Sequence, residues 1–187
     1  LEECELFPCE HKKTQHVMRR RFQSDPVYAG MVESMDENIG RLLQTLEEQG
    51  LIQDTAIFFT SDNGGLVTSE GSPTCNAPLS EGKGWMYEGG TREPLIVRFP
   101  GGVAPDTDFY PTLLAMAGLD PIPQQHCDGI NILPLLEGDQ ELDREAIFWH
   151  YPHYGNQGGT PGSSVRAGDY KLIEFFEDNR LELYNLR

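Results

Sequence analysis

Between Pro26 and Gln49 the apolar residues Tyr28, Met31, Val32, Met35, Ile39, Leu42, Leu43 and Leu46 recur at three- and four-residue steps. That spacing lines up one stripe of an α-helix, because residues three and four apart share a face. Ser24 or Asp25 offers a capping oxygen at its start, Pro26 suits the first helical position, and Gly50 offers a left-handed stop. Glu33, Asp36 and Glu37 fall mostly off the stripe, as a solvated face would. The pattern then changes. Thr55 to Thr60 is a continuous β-branched and aromatic run, suited to a strand buried on both faces. A helix followed by such a strand is half of a βαβ unit and predicts a parallel sheet. "PLIVRF", Pro94 to Phe99, predicts a second buried strand. "DFYPTLLAMA", Asp108 to Ala117, predicts a helix with Pro111 in its first turn and Gly118 just past its end.

Leu66 to Gly84 is rich in Gly, Ser, Pro and Asn and reads as a long loop, of the kind that often carries function. From Glu145 the texture shifts to short aromatic or alternating runs, "AIFWHYPHY", "SSVRAGDYKLIEFFE" and "RLELYNL". A Gly-rich loop and a hairpin turn at Asp178-Asn179 separate them, which predicts a small antiparallel sheet. The expected division is therefore an α/β part over residues 1–140 and a small antiparallel subdomain over 141–187.

Composition narrows the function. Of 187 residues, 38% are hydrophobic and 24% charged, which is ordinary for a globular protein, and no run is long enough to span a bilayer as a helix. The net charge of −16 argues against nucleic acid, whose phosphates want a basic face. An anionic substrate would need local cations, metal or Lys and Arg, to reverse the field within about 8 Å. The four cysteines, Cys4, Cys9, Cys75 and Cys127, lack metal-knuckle spacing. Pairing of Cys4 with Cys9 and of Cys75 with Cys127, or free thiols throughout, are both open. The chain starts Leu-Glu-Glu-Cys with no visible signal peptide and is expected to be a fragment.

The chemistry gathers in two stretches. In "FFTSDNGG" an apolar strand ends on Asp62 and Asn63, where ligands collect at the carboxyl end of an α/β sheet. Their oxygens are hard donors suited to Ca²⁺ or Mg²⁺, although Asp, Asn and Gly also make ordinary turns. In "GKGWMYEGGTREP" Lys83 stands between two glycines that leave its ammonium little steric cover. Glu88 is the expected partner that orients it, and Arg92 is expected in a structural ion pair. Trp85 and Tyr87 offer either stacking surface for a sugar or core. His150 and His153 in "WHYPHY" are candidates for hydrogen-bonding a substrate or protonating a leaving oxygen. Asn156, Gln157 and the glycines that follow resemble a flexible rim loop.

Taken in order, "FFTSDNGG", "GKGWMYEGGTREPLIVRFPG", "DFYPTLLAMAG", "DGINILPLL" and the ending "FWHYPHYGNQGGTPGSSVRAGDYKLIEFFEDNRLELYNLR" resemble the C-terminal portion of the type I sulfatases, in the alkaline phosphatase superfamily. The resemblance runs from about Tyr28 to Arg187, and the ending resembles the C-terminal subdomain particularly of arylsulfatase A-like and bacterial glycan sulfatases. It implies an α/β, alkaline phosphatase-like core with a mostly parallel sheet, plus the antiparallel C-terminal sheet. It also implies that Asp62 and Asn63 ligate Ca²⁺ and that Lys83 contacts the sulfate group catalytically. The resemblance favours His153 as a substrate contact, since its loop can border the substrate cleft, with His150 the further candidate. The nucleophile of the family is a formylglycine made from the Cys or Ser of a C/S-x-P-x-R motif, which attacks sulfur and later releases sulfate. The implied partner is a sulfated carbohydrate or aryl sulfate, and the implied compartment is periplasmic, secreted or lysosomal.

This chain departs from that pattern. No C/S-x-P-x-R occurs in it, and the upstream aspartate pair that would complete the metal site is also missing. The expected activity is sulfuric ester hydrolysis by a longer protein, with this chain inactive by itself. Two other readings stand beside it: a phosphodiesterase or phosphonate hydrolase of the same superfamily, and a non-catalytic, metal-stabilised module.

Overall fold

The computed structural model describes residues 7–11, 14–19, 24–68, 72–98, 108–138 and 142–187. In chain order the elements are β1 (Phe7–His11), β2 (Thr14–Arg19), α1 (Pro26–Glu48), β3 (Ile57–Thr60), α2 (Glu88–Thr91), β4 (Leu95–Arg98), α3 (Phe109–Met116), α4 (Leu133–Leu136), β5 (Ile147–Tyr151), β6 (Gly162–Ala167), β7 (Tyr170–Phe175) and β8 (Arg180–Asn185). β1 and β2 form an antiparallel hairpin that the apolar pattern did not announce. The chain divides into two compact units, one of Leu1–Leu42, Asn63–Glu93 and Arg144–Arg187 and the other of Leu43–Asp62 and Pro94–Asp143.

Helix α1 forms where the apolar period predicts it. Asp25 is the cap: its Oδ1 accepts the Val27 and Tyr28 amides at 2.9 and 3.0 Å. Gly50 at φ +68° ends it, with Gly50 N–H donating to Glu47 O and Leu51 N–H to Leu46 O, the paired bonds of a Schellman turn. Gly118 at φ +67° closes α3 in the same way. No residue of α1 is buried: Met31, Val32, Met35 and Leu42 of the predicted stripe are exposed, while Tyr28, Ile39, Leu43 and Leu46 are half-buried.

In the second unit β3 pairs with β4 from Ile57↔Arg98 to Thr60↔Leu95, and the pairing is antiparallel. This corrects the parallel expectation. A helix before a strand constrains only the strand preceding that helix, whereas β4 follows β3 through a long loop able to return the chain in either sense. Burial on both faces is corrected too, since β3 is half-buried and Ile96 is 63% exposed. The sheet has only these two strands among the described residues, so each has one edge without a paired strand there. The core of this unit is Ile132 and Leu136, fully buried against Leu95, Ile130 and Leu142. Two buried polar side chains stitch α3 to the segment before α4. Asp108 accepts the Ile130 amide at 2.9 Å and Thr112 Oγ1 the Ile132 amide at 3.1 Å.

In the first unit β5-β6-β7-β8 form the antiparallel sheet predicted for the C-terminal stretch, its last hairpin turning through Asn179 at φ +54°. Strand β7 alternates exposed and buried, so Lys171, Ile173 and Phe175 face inward while Tyr170, Leu172 and Glu174 face out. Met86 inserts against Ile173 and Phe175, with Tyr87 and Trp149 packed around it. Burying such a side chain contributes about 1.5–3 kcal/mol. "WMY" is therefore the apolar plug that seats the "GKGWMYEGGT" stretch on the C-terminal sheet.

Candidate functional site

The glycines of the two motifs pack backbone against backbone. A Cβ on Gly64 would lie 1.7 Å from Gly89 O; one on Gly82 would lie 2.2 Å from Gly65 O; one on Gly90 would lie 2.5 Å from Gly82 O. No side chain fits at such distances, which is why the sequence carries glycine there. Hydrogen bonds run along the same seam: Lys83 N–H to Gly65 O at 3.2 Å, Gly64 N–H to Gly90 O at 3.4 Å and Gly89 N–H to Ser80 O at 2.7 Å. The segment that begins at Asn63 and the loop that carries Lys83 are thus one frame. Of the glycines beside Lys83, Gly82 serves this close approach and Gly84 takes a left-handed conformation at φ +85°.

Asn76, which the motifs did not single out, organises the loop. Its Oδ1 accepts the Gly65 amide at 3.2 Å, and its Nδ2 donates to Gly65 O and Glu81 O, both at 2.9 Å. Asn76→Ala removes all of these at once. With each net bond contributing about 0.5–1.5 kcal/mol, a loss of about 2–3 kcal/mol is expected in urea unfolding. Nothing in the local sequence distinguishes this asparagine from a turn former; only its partners do.

Asp62 is exposed and Asn63 half-buried at the end of β3, and Lys83 is half-buried. The expected Glu88–Lys83 pairing is corrected. Glu88 Oε1 accepts from Lys171 Nζ at 2.9 Å, and Arg166 Nη1 lies 3.7 Å from Oε2. Lys171 is 1% exposed, also donates to Thr91 Oγ1 at 2.6 Å, and sits 4.8 Å above the Trp149 ring. Burial holds its pKa below the usual lysine range, with the Glu88 bond and charge pulling the other way. This lysine was missed by motif, yet its alternation with Ile173 and Phe175 marks it as inward-facing, a position that demands an acidic partner. Arg92 is exposed and forms no ion pair among the described residues, against expectation.

Trp85 and Tyr87 belong to the core. Trp85 is 8% exposed and donates its indole N–H to Gln157 O at 3.1 Å, while Thr68 Oγ1 donates to the same carbonyl. Gly159 packs on the Gly84 carbonyl, where a Cβ would come within 1.7 Å. The rim loop is therefore bonded to the site loop, which corrects the flexible expectation. Tyr87 O–H donates to Glu182 at 2.8 Å; burial and, after it, the neighbouring Tyr184 push its pKa up to about 12. His150 lies on the face of the sheet opposite Lys171, with Nδ1 2.7 Å from Ser163 Oγ, beside a groove of about 300 Å³ that it lines with Phe148 and Glu174. His153 is exposed and meets the Tyr151 ring edge to face at 5.5 Å. Cys75 and Cys127 are not joined to each other, and Cys4 lies outside the described residues.

Among the described residues no cluster of three or more His, Cys, Asp or Glu is arranged to hold a metal. Asp62 and Asn63 have the hard oxygens that a Ca²⁺ ion takes, but two side chains are a fraction of the six to eight ligands it needs. They fit as part of a ligand set. None of the described helices is long and apolar enough to cross a membrane.

A family model described as Sulfatase matches residues 2–119, and one described as N-sulphoglucosamine sulphohydrolase, C-terminal matches residues 81–187. A sulfatase of Formosa agariphila is 37% identical over 95% of this chain and 36% of its own length. Human arylsulfatase A is 36% identical over 75% of this chain and 29% of its own. A solved structure described as a 2-O GAG sulfatase superposes with a TM-score of 0.61 at 22% identity, over 81% of this chain and 34% of that one. The chain thus spans about a third of the length of the proteins it matches.

Proposed function

The chain belongs to the sulfatase family, and on that footing we propose that it supplies the C-terminal part of a sulfuric ester hydrolase acting on aryl or carbohydrate sulfates. The observation that supports this best is the glycine frame, which packs and hydrogen-bonds the Asn63 segment against the Lys83 loop. Residues 1–140 would form part of the catalytic core and 141–187 its C-terminal subdomain, in an exported compartment.

Lys83 presents a compact positive charge to the sulfuryl oxygens, in a chain whose net charge of −16 would otherwise repel the anion. Asp62 and Asn63 would hold one side of a Ca²⁺ ion, which when bound draws charge off those oxygens. His153 and His150 are the further substrate contacts; with Nδ1 engaged by Ser163, His150 would offer Nε2. Formylglycine has no precursor here, because no C/S-x-P-x-R motif occurs in the chain. The nucleophile would come from the region that the relatives' greater length provides.

The test compares this chain with a protein extended by the upstream region of its relatives, using aryl sulfate and the matching phosphate ester. The extended protein is expected to prefer sulfate, and this chain alone to turn over neither. Lys83→Ala in the extended protein is expected to lower kcat/KM by about 10²–10³, as for loss of one preorganised charge donor. Preference for phosphate, or an unchanged kcat/KM in Lys83→Ala, would overturn the proposal.

A further inference from the structure

The buried lysine on β7 has no part in the function just described, yet it grips the element on which the site frame rests. Lys171 Nζ bonds the first residue of α2 through Glu88 Oε1 at 2.9 Å and the last through Thr91 Oγ1 at 2.6 Å. Between those two residues lie Gly89 and Gly90, which form the floor of the frame. Gly89 N–H is bonded to Ser80 O, Gly90 O takes the Gly64 amide, and the Gly89 carbonyl abuts Gly64. Gly64 follows Asn63 directly, and Gly65 O takes the Lys83 amide. A four-residue helix with two glycines holds little conformation by itself, since glycine is costly in a helix and one turn is below the length at which helices persist. Something outside the turn must fix it.

We infer that Lys171 is a positioning residue for Asn63 and Lys83: by clamping both ends of α2 it sets the glycine floor on which their backbones are aligned. The inference rests on the proposed role of those two residues only for its catalytic meaning; the mechanical link stands on the contacts. A hydrophobic residue at position 171 would pack the sheet as well or better, because a buried ion pair is weak evidence for stability. The geometry gives the charge another use, since its two bonds span the helix with a directionality that apolar packing lacks.

Amide hydrogen exchange on this chain tests the clamp without any substrate. In Lys171→Met, protection at Gly64, Lys83 and Gly89 is expected to fall at least about tenfold further than protection of the β6–β7–β8 ladder amides. In the Lys171→Met/Glu88→Leu pair, global stability is expected to return while those three amides stay unprotected. Lys171→Arg, which keeps a donor for Glu88, is expected to restore them in part. If Lys171→Met does not fold, Thr91→Val removes one bond of the clamp and is expected to loosen the same three amides by a smaller factor. Uniform loss across sheet and frame, or recovery of the three amides in the doubly apolar variant, would overturn the clamp. Because no turnover is read, that outcome is separate from failure of the sulfatase proposal.

Discussion

Gly64→Ala is expected to lower the melting temperature by about 6–12 °C, which corresponds to about 3 kcal/mol in a protein of this size. The added methyl would stand 1.7 Å from the carbonyl oxygen of Gly89, and the next atoms it meets are also backbone. Neither segment yields cheaply. The Gly64 side is held through Gly65 to Asn76, and the Gly89 side is held by its bond to Ser80. Both tryptophans, Trp85 and Trp149, lie in the same unit, so fluorescence melting follows the element that the substitution strains. Gly30→Ala, on the exposed face of α1 with nothing within 4 Å, is the control and should be neutral or slightly stabilising. Equal melting temperatures for Gly64→Ala and the unsubstituted chain would mean that the two backbones are not in contact.

Glu88→Leu is expected to cost about 3–5 kcal/mol near neutral pH, because it leaves the Lys171 ammonium buried with no carboxylate. The loss should then shrink as the solution is made alkaline. Burial already sets the folded-state pKa of Lys171 below its usual 10.5, and removing Glu88 takes away the main influence that raises it. Between the depressed value and 10.5 the unfolded chain holds a proton that the folded chain has released, so stability rises with pH across that window. Below it the full penalty of the buried charge applies. Urea midpoints of Glu88→Leu should therefore climb toward pH 10.5 relative to Lys171→Met/Glu88→Leu, in which that group is gone. A flat difference between the two across that range would show that Lys171 escapes to solvent when its partner is lost.

Much of this architecture can be seen in the apolar pattern, and the remainder is hidden for definite reasons. The period of α1, the left-handed glycines after α1 and α3, and the alternating C-terminal strands are local facts, settled by neighbours three or four residues away or by every second side chain. The sense in which β4 returns beside β3 is not local, and no periodicity within "PLIVRF" carries it. Asn76 is similar, since its three bonds reach residues five and eleven positions distant. Nearness in sequence pairs Glu88 with Lys83, while its actual partner lies 83 residues further on. Lys171 itself could have been found. A charged residue in phase with Ile173 and Phe175 in an alternating strand must point inward, and an inward ammonium requires an acid.

The contacts of Gly64, Gly89 and Gly90 are made with backbone alone, and those of Gly82 with the Gly65 carbonyl and the Asn76 and Val67 side chains. Their presence therefore records a way of laying two chain segments together, irrespective of whether any sulfate is ever bound there. Selection acting on folding alone would retain these glycines in a descendant whose nucleophile and metal had been lost. Inheritance of the glycines and inheritance of catalysis are separable, so a genome search keyed to "DNGG" and "EGGT" would gather living enzymes and retired ones together. Under the contact proposed between Lys83 and the sulfuryl oxygens, position 83 is where the two groups should diverge.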